Sequence, residues 1–146
     1  MSVPLTDEGI VLTSGFVKGE EQRFKRAVMA AQMAARKGLR VFEIENEEKE
    51  PGFPDTLEMG DIGRHYPTRL VEYKVSDAKG FVSFKKSQPR FYRMYPELNI
   101  VVCAWSVPDQ RGYYFGTDEI LEAVLAAHAP KHSSDVRIYI GGGMAF

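Results

Sequence analysis

The clearest alternation of apolar and polar positions in the chain is the run LVEYKV at residues 70–75. Successive side chains of a strand point to opposite faces, so Glu72 and Lys74 point the same way. The positions beside them form an apolar face on the other side of the strand: Val71, Tyr73 and Val75. The pattern predicts a sheet that is apolar on one face and carries an acid and a base on the other.

A second short strand precedes this one, and Asp55 lies near its start. The residues between the two strands are rich in turn-forming glycine, aspartate and proline, which predicts a hairpin. If the chain folds back at Gly63 or Arg64, Asp55 pairs opposite Glu72 or Lys74. Two carboxylates with an ammonium beside them are a poor way to build a core. They suit a divalent cation held against a phosphate.

The remaining periodic segments predict a mixed α/β domain. The strongest helix pattern covers residues 19–37, which are rich in helix formers and precede a glycine. After it we predict a strand at 39–45, the hairpin, a turn at 76–80, a helix from near Ser87, strands at 99–107 and 112–116, a helix at 118–129 capped by Thr117, and a strand at 136–140. The order α-β-β-β-α-β-β-α-β indicates a single domain whose mixed central sheet is flanked by helices.

Two of these segments carry more specific expectations. The strand at 99–107 is almost entirely apolar, which predicts burial on both faces. The helix at 118–129 is expected to pack through one apolar stripe: Ile120, Leu121, Val124 and Leu125. Residues 1–17 are interpreted as an N-terminal arm in which only Ile10 to Leu12 resembles a strand. Residues 18–107 then form the core, and 108–146 form a strand-helix-strand extension.

Composition limits the class of protein. The 146 residues, 44% of them hydrophobic, are enough for one domain with a core. No apolar run reaches the roughly 20 residues that span a bilayer, and the N-terminus lacks the basic start and apolar stretch of a signal peptide. The single cysteine, Cys103, excludes an internal disulfide framework. We therefore expect a cytoplasmic protein (in the host cytoplasm, if viral) that has no membrane partner.

Rival chemistries lack their motifs. His128 and His132 straddle Pro130, and Cys103 has no partner at metal-ligand spacing, which argues against a zinc site. Cys103 lies in the most apolar strand, so a buried hydrophobe is favoured over a nucleophile. The sequence contains no Gly-x-Ser-x-Gly elbow and no glycine-rich phosphate loop ahead of a helix.

The pair Pro54-Asp55 followed by Glu72-Tyr73-Lys74 resembles the PD-(D/E)xK nuclease superfamily. The context supports this resemblance: a helix before the motif, a hairpin of suitable length and a helix carrying Gln88 after it. It implies a restriction-endonuclease-like fold and metal-dependent hydrolysis of DNA phosphodiester bonds. The small size, the acids of the first helix and the basic, aromatic second helix resemble those of archaeal Holliday-junction resolvases and related phage or viral nucleases.

The resemblance also implies roles for individual residues. Asp55, Glu72 and the backbone carbonyl of Tyr73 would bind Mg²⁺ or Mn²⁺, and Lys74 would orient the attacking water. A glutamate of the first helix commonly joins such sites, and both Glu20 and Glu21 remain candidates. Gln88 would hydrogen-bond around the site, unless it is an N-terminal helix residue satisfied by backbone groups.

Net charge is −1, so a nucleic-acid footprint would have to be local. The residues we expect to contact DNA phosphates are Lys85, Lys86, Arg90, Arg93 and Arg64. By analogy with resolvases, which cut two strands symmetrically, a homodimer is expected. Three alternatives stay open: a catalytically silent nuclease-fold protein that binds DNA or assists assembly, a restriction- or transposition-type nuclease, and an accidental motif in a small α/β protein that binds another ligand.

Overall fold

The computed structural model of the protein describes residues 3–5, 10–12, 15–44, 52–60, 66–127 and 135–141. Within these ranges the chain forms nine strands and three helices. The strands are β1 Val3–Leu5, β2 Ile10–Leu12, β3 Leu39–Glu43, β4 Thr56–Gly60, β5 Arg69–Val75, β6 Phe81–Lys85, β7 Ile100–Ser106, β8 Arg111–Gly116 and β9 Asp135–Tyr139. The helices are α1 Glu21–Ala35, α2 Ser87–Met94 and α3 Thr117–Ala126.

Seven of the strands form one mixed sheet in the order β2-β1-β8-β7-β5-β4-β3. β5 runs parallel to β7 and β1 runs parallel to β8, while the other neighbours are antiparallel. Strands β6 and β9 form a separate antiparallel pair. The predicted fold class is confirmed: the domain is α/β, with a mixed central sheet flanked by helices.

The two faces of β5 are covered by different layers, as its alternation predicts. Helix α1 packs on the apolar face, where its Phe24 and Val28 meet a cluster from β5, β7 and the segment before α1: Phe16, Val71, Tyr73, Val75, Cys103 and Trp105. On the opposite face, α2, α3, β6 and β9 cover a second cluster that includes Phe84, Phe91, Val102, Ile120 and Ile138. Strand β7 contributes to both clusters, in agreement with its apolar sequence.

A buried polar network lies on the α1 side of the sheet. Glu58 of β4 and Arg69 of β5 are directly opposite in the register, and their side chains form an ion pair of 2.7 Å. The Arg69 guanidinium also lies 4.8 Å from the ring centroid of Tyr114, whose hydroxyl accepts a hydrogen bond of 2.8 Å from Gln32 of α1. The network joins α1 to the β4–β5 hairpin and to β8.

The structure adds strands that the sequence pattern does not predict. No strand is expected at residues 81–85, where β6 lies next to a turn and pairs with β9 outside the main sheet. The N-terminal arm contains two strands rather than one strand-like run, and β1 pairs with both β2 and β8. Short strands of this kind are determined by the partners that they find, which local periodicity does not show.

The expected stripe on α3 is wrong at one position. Ile120 is fully buried, but Leu125 is 79% exposed. Val124 and Ala127 still pack against the core, so Leu125 lies on the outward side of a helix that contacts the core along its length. The cap of α3 is Gly116 rather than Thr117, and the Gly116 N–H donates to Glu119 Oε1 at 3.2 Å. None of the described helices has the length and apolarity needed to cross a membrane.

Candidate active site

The β4–β5 hairpin holds Asp55 beside Glu72. Thr56 pairs with Val71 in the ladder, so Asp55 falls at the level of Glu72 rather than Lys74. The Asp55 backbone N–H donates to the Val71 carbonyl at 3.0 Å, and its side-chain Oδ2 accepts the Tyr73 N–H at 3.0 Å. This last bond fixes one carboxylate oxygen against β5. Glu72 is 5% exposed, so both acids sit at a sheltered end of the hairpin.

Lys74 is held by the second helix. Its Nζ donates to Oε1 of Gln88 at 3.0 Å, and the same oxygen accepts the backbone N–H of Lys85 at 3.0 Å. The ammonium also lies 4.8 Å from the ring centroid of Phe84. One oxygen of Gln88 therefore accepts hydrogen bonds from both the backbone N–H at the end of β6 and the Lys74 ammonium, so its two interpretations do not exclude each other.

Electrostatics set Lys74 apart from a surface lysine. Burial penalises its ammonium form and lowers its pKa below the ordinary value. The carboxylates of Glu72 and Asp55, followed by Glu21, act in the opposite direction and favour the charged form. Desolvation of the Lys74 ammonium therefore outweighs the opposing effect of the nearby carboxylates. Such perturbed pKa values are common at functional sites.

The structure separates the two glutamates at the start of α1. Glu20 is the N-cap residue, and its carboxylate accepts the Val17 N–H at 2.8 Å and pairs with Arg23 at 2.7 Å. The Arg23 hydrogen bond and then the Val17 N–H hold the pKa of Glu20 below its ordinary range. Glu21 instead lines a cavity together with Lys74. The geometry places Glu21, rather than Glu20, beside the candidate site.

Tyr92 was not among the predicted site residues. Its hydroxyl is buried and makes no hydrogen bond to any described residue. Burial is the largest cause that raises the pKa of Tyr92, and the charges of Glu72 and Asp55 raise it further. Tyr92 is one helical turn after Gln88, and that spacing on the inner face of α2 was the available signal.

The loop before Asp55 is packed directly on the start of α2. A Cβ at Gly52 would lie 2.3 Å from the carbonyl oxygen of Ser87, and the backbone there has a φ of +90°, so glycine is required. The rings of Phe53 and Phe91 meet at a centroid distance of 5.3 Å. The loop that carries Asp55 and the helix that carries Gln88 therefore form one packed unit.

No protein-family model matches the chain, and no curated protein sequence matches it. Among solved structures, the chain is similar to Archaeoglobus fulgidus Hjc, a Holliday junction resolvase from an archaeal hyperthermophile. The similarity has a TM-score of 0.52 at 12% sequence identity and covers 84% of this chain and 86% of Hjc. The chain has a restriction-endonuclease-like fold. At this identity, the likeness to Hjc concerns the fold alone.

The ligands available at the candidate site match those of Mg²⁺ better than those of a site built from three or more protein side chains. Within the described ranges, no three histidine, cysteine, aspartate or glutamate side chains come together as a ligand group. Mg²⁺ is usually bound by one or two carboxylates together with waters and substrate phosphate. Asp55 and Glu72 supply the carboxylates from the two arms of one hairpin, and the Tyr92 hydroxyl is a buried polar group with no hydrogen-bond partner among the described residues. These residues fit such an ion. Tyr73 directs its side chain into the α1 core and is 2% exposed.

The predicted phosphate contacts fall on two surfaces. Lys86, Arg90 and Arg93 line a groove of about 290 Å³ that is completed by apolar residues of α2, α3 and β9. Lys85 lies instead on the exposed side of β6. Arg64 is outside the described residues. The sequence therefore predicted a basic helix, but not its division into a groove and a separate strand position.

Proposed function

We propose that the chain is a divalent-metal-dependent endonuclease of the PD-(D/E)xK type that hydrolyses DNA phosphodiester bonds. One observation carries the proposal: Asp55 and Glu72 lie side by side at the end of a hairpin, next to a sheltered lysine that a glutamine orients. The similarity of fold to Hjc supports it. We infer selection of DNA structure, such as a junction, flap or end, because the fold is similar to that of Hjc, a Holliday junction resolvase.

Asp55, Glu72 and the backbone carbonyl of Tyr73 would hold Mg²⁺ or Mn²⁺. When bound, such a cation polarises the scissile phosphate and lowers the pKa of a bound water. Lys74 orients the water and offsets the negative charge that develops on the phosphate in the transition state. The Tyr92 hydroxyl would donate to a water in the site, because this buried group has no hydrogen-bond partner among the described residues.

Gln88 and Glu21 act on Lys74. The Gln88 carbonyl oxygen limits the rotation of the ammonium and directs it towards the carboxylates. Glu21 adds negative charge that favours the protonated form against desolvation. Of the two candidate glutamates we therefore propose Glu21 for the site, and for Glu20 a structural role in which its carboxylate joins Val17 to Arg23.

The groove lined by Lys86, Arg90 and Arg93 is the proposed main contact with DNA phosphates. Lys85, at the end of β6, would add a separate contact with a DNA phosphate. Two symmetric cuts would require two copies of the site, so we propose a homodimer. Replacing Arg90 by alanine should reduce the slope of log affinity against log salt by about 1. The exposed Lys37 at the far end of α1 serves as a control, and an equal change in Lys37→Ala would place the DNA elsewhere.

The deciding experiment is cleavage of labelled duplex, single-stranded, flapped and four-way-junction DNA in Mg²⁺, Mn²⁺ or chelator. Asp55→Ala, Glu72→Ala and Lys74→Ala should each abolish cutting while the protein still unfolds cooperatively. Glu122→Ala, an exposed carboxylate on α3, is the matched control and should cut normally. Binding without cutting would favour the silent nuclease-fold protein. Neither binding nor cutting would mean that the motif is accidental.

A further inference from the structure

The small β6–β9 sheet has an outer face that the proposed chemistry does not use. Alternate residues of both strands point into the core, among them Val82, Phe84, Val136 and Ile138. The intervening positions form the outer face: Phe81, Ser83, Lys85, Asp135, Arg137 and Tyr139. The register places Phe81 opposite Tyr139 and Ser83 opposite Arg137. The outer face thus combines an aromatic pair with a cation.

The aromatic end of this face is held in place by backbone contacts. The rings of Phe81 and Tyr139 lie 5.3 Å apart. A Cβ added at Gly141 would come within 2.3 Å of the Tyr139 hydroxyl, and one added at Gly80 would lie 3.0 Å from Cε2 of the same ring. The Tyr139 ring therefore rests on two glycines, yet Tyr139 is 54% exposed. A large aromatic ring that is supported below and open to solvent is a stacking surface.

The cation of this face is also positioned. The Arg137 guanidinium lies 4.7 Å from the Phe81 ring centroid and donates to Asp77 Oδ2 at 2.8 Å. Asp77 is itself anchored, because its Oδ1 accepts the backbone N–H groups of Lys79 and Phe81. The Arg137 side chain remains 58% exposed, so it is held in place while still open to an anionic ligand.

This face adjoins the candidate active site. A cavity of about 230 Å³ is lined by Lys74 and Glu21 together with Phe81, Ser83 and Arg137. Its volume is below the roughly 300 Å³ at which pockets for drug-sized ligands begin, so it admits one flat group and no duplex. In duplex DNA both faces of a base are already stacked on neighbours, whereas an unpaired base has a face available for an aromatic side chain.

We propose that this cavity receives an unpaired nucleotide next to the scissile phosphate. Its base would stack on the Tyr139 ring, which packs against Phe81 at the edge of the cavity, and its phosphate would be bound by Arg137. The proposal rests on the proposed nuclease function and specifies its substrate: DNA that exposes an unpaired nucleotide, as at a flap or an open junction. Stacking tolerates any base, so the contact selects structure without reading sequence.

The test uses a flapped duplex with 2-aminopurine at the first unpaired position, and the same strand fully paired, in chelator so that binding is followed without cutting. Stacking on the protein should quench the unpaired fluorophore. Tyr139→Leu keeps an apolar cover over the two glycines but removes the ring, while Phe81 stays in place. It should therefore reduce the quenching and weaken flap binding about 10-fold. Tyr139→Phe should behave as wild type, and binding to the paired duplex should be unchanged in both variants.

Arg137→Gln provides a second test that leaves the rings in place, and it too should weaken binding to the flap more than binding to the duplex. The proposal is overturned if wild-type protein binds the flap without quenching, if Tyr139→Leu quenches as fully as wild type, or if flap and duplex binding fall equally. Cleavage in Mg²⁺ is scored separately. Quenching that depends on Tyr139 without any cleavage would support nucleotide stacking and contradict the proposed nuclease activity. Cleavage without such quenching would support the nuclease activity and contradict the stacking.

Discussion

Gln88 offers the sharpest test of how the candidate site works. Methionine at this position keeps the length and much of the packing of glutamine, but removes the oxygen that accepts from Lys74 Nζ and from the Lys85 N–H. The side chain is only 9% exposed, so water replaces that oxygen poorly. Gln88→Glu is the matched partner, because a carboxylate can accept both bonds and adds a negative charge beside the ammonium.

The size of the effect follows from the kind of bond. A hydrogen bond to a charged group contributes about 1.5–3 kcal/mol. If Lys74 must be oriented in the transition state, losing that bond slows the chemical step roughly 10- to 150-fold, since each 1.36 kcal/mol is about tenfold in rate. Gln88→Glu should lose less, because the oriented ammonium is retained.

The two variants should also differ in their pH dependence. A bond to the ammonium favours the charged form, so Gln88→Met lowers the already lowered pKa of Lys74, whereas a carboxylate raises it. If the protonated form acts, the alkaline fall in activity moves to lower pH in Gln88→Met and to higher pH in Gln88→Glu. The assay is single-turnover cleavage of a four-way junction from pH 6 to 10. A Gln88→Met enzyme within twofold of wild type, with an unmoved profile, would refute the role of Gln88.

Three further predictions concern stability and reactivity. Glu58→Ala leaves the Arg69 guanidinium buried without its carboxylate and should lower the free energy of unfolding in urea by about 3–5 kcal/mol. Burial raises the pKa of Cys103, so its thiol should resist a disulfide reagent at pH 8 until the protein is denatured. The hydrogen bond from the Phe81 N–H is the largest cause that lowers the pKa of Asp77 below its ordinary value of 3.8. The stabilisation that ionised Asp77 gives the folded protein is therefore present above pH 3.8 and is lost as the pH falls through the lower pKa of the folded state. The Tm difference from Asp77→Asn should accordingly vanish in acid.

The sequence predicted the centre of the fold because alternation there has a direct physical cause. Val71, Tyr73 and Val75 face α1, so a slip of one residue would bury Glu72 and Lys74 against that helix. The same register brings Asp55 to the level of Glu72. These relations are local to one hairpin and therefore readable from its residues.

Other features depend on partners that are distant along the chain. The Tyr92 hydroxyl experiences the charges of Glu72 and Asp55 only once α2 has packed on the sheet, and local periodicity does not predict that packing. β6 is a strand because β9, more than fifty residues later, pairs with it. Leu125 fits an apolar stripe, but the core contacts Ile120, Val124 and Ala127 and leaves Leu125 exposed. Periodicity indicates which side of a helix is apolar and does not show how much of that side its neighbours cover.

The close approach of Gly52 to the Ser87 carbonyl makes the spacing of the proposed catalytic groups adjustable from outside the candidate site. A methyl group at residue 52 would separate the loop of Asp55 from the helix of Gln88 and would change none of the candidate side chains. The absence of one carbon atom thus permits the close packing of the proposed cation-binding residues against the helix that contacts Lys74. Substitutions graded in size at this position would convert that distance into an experimental variable.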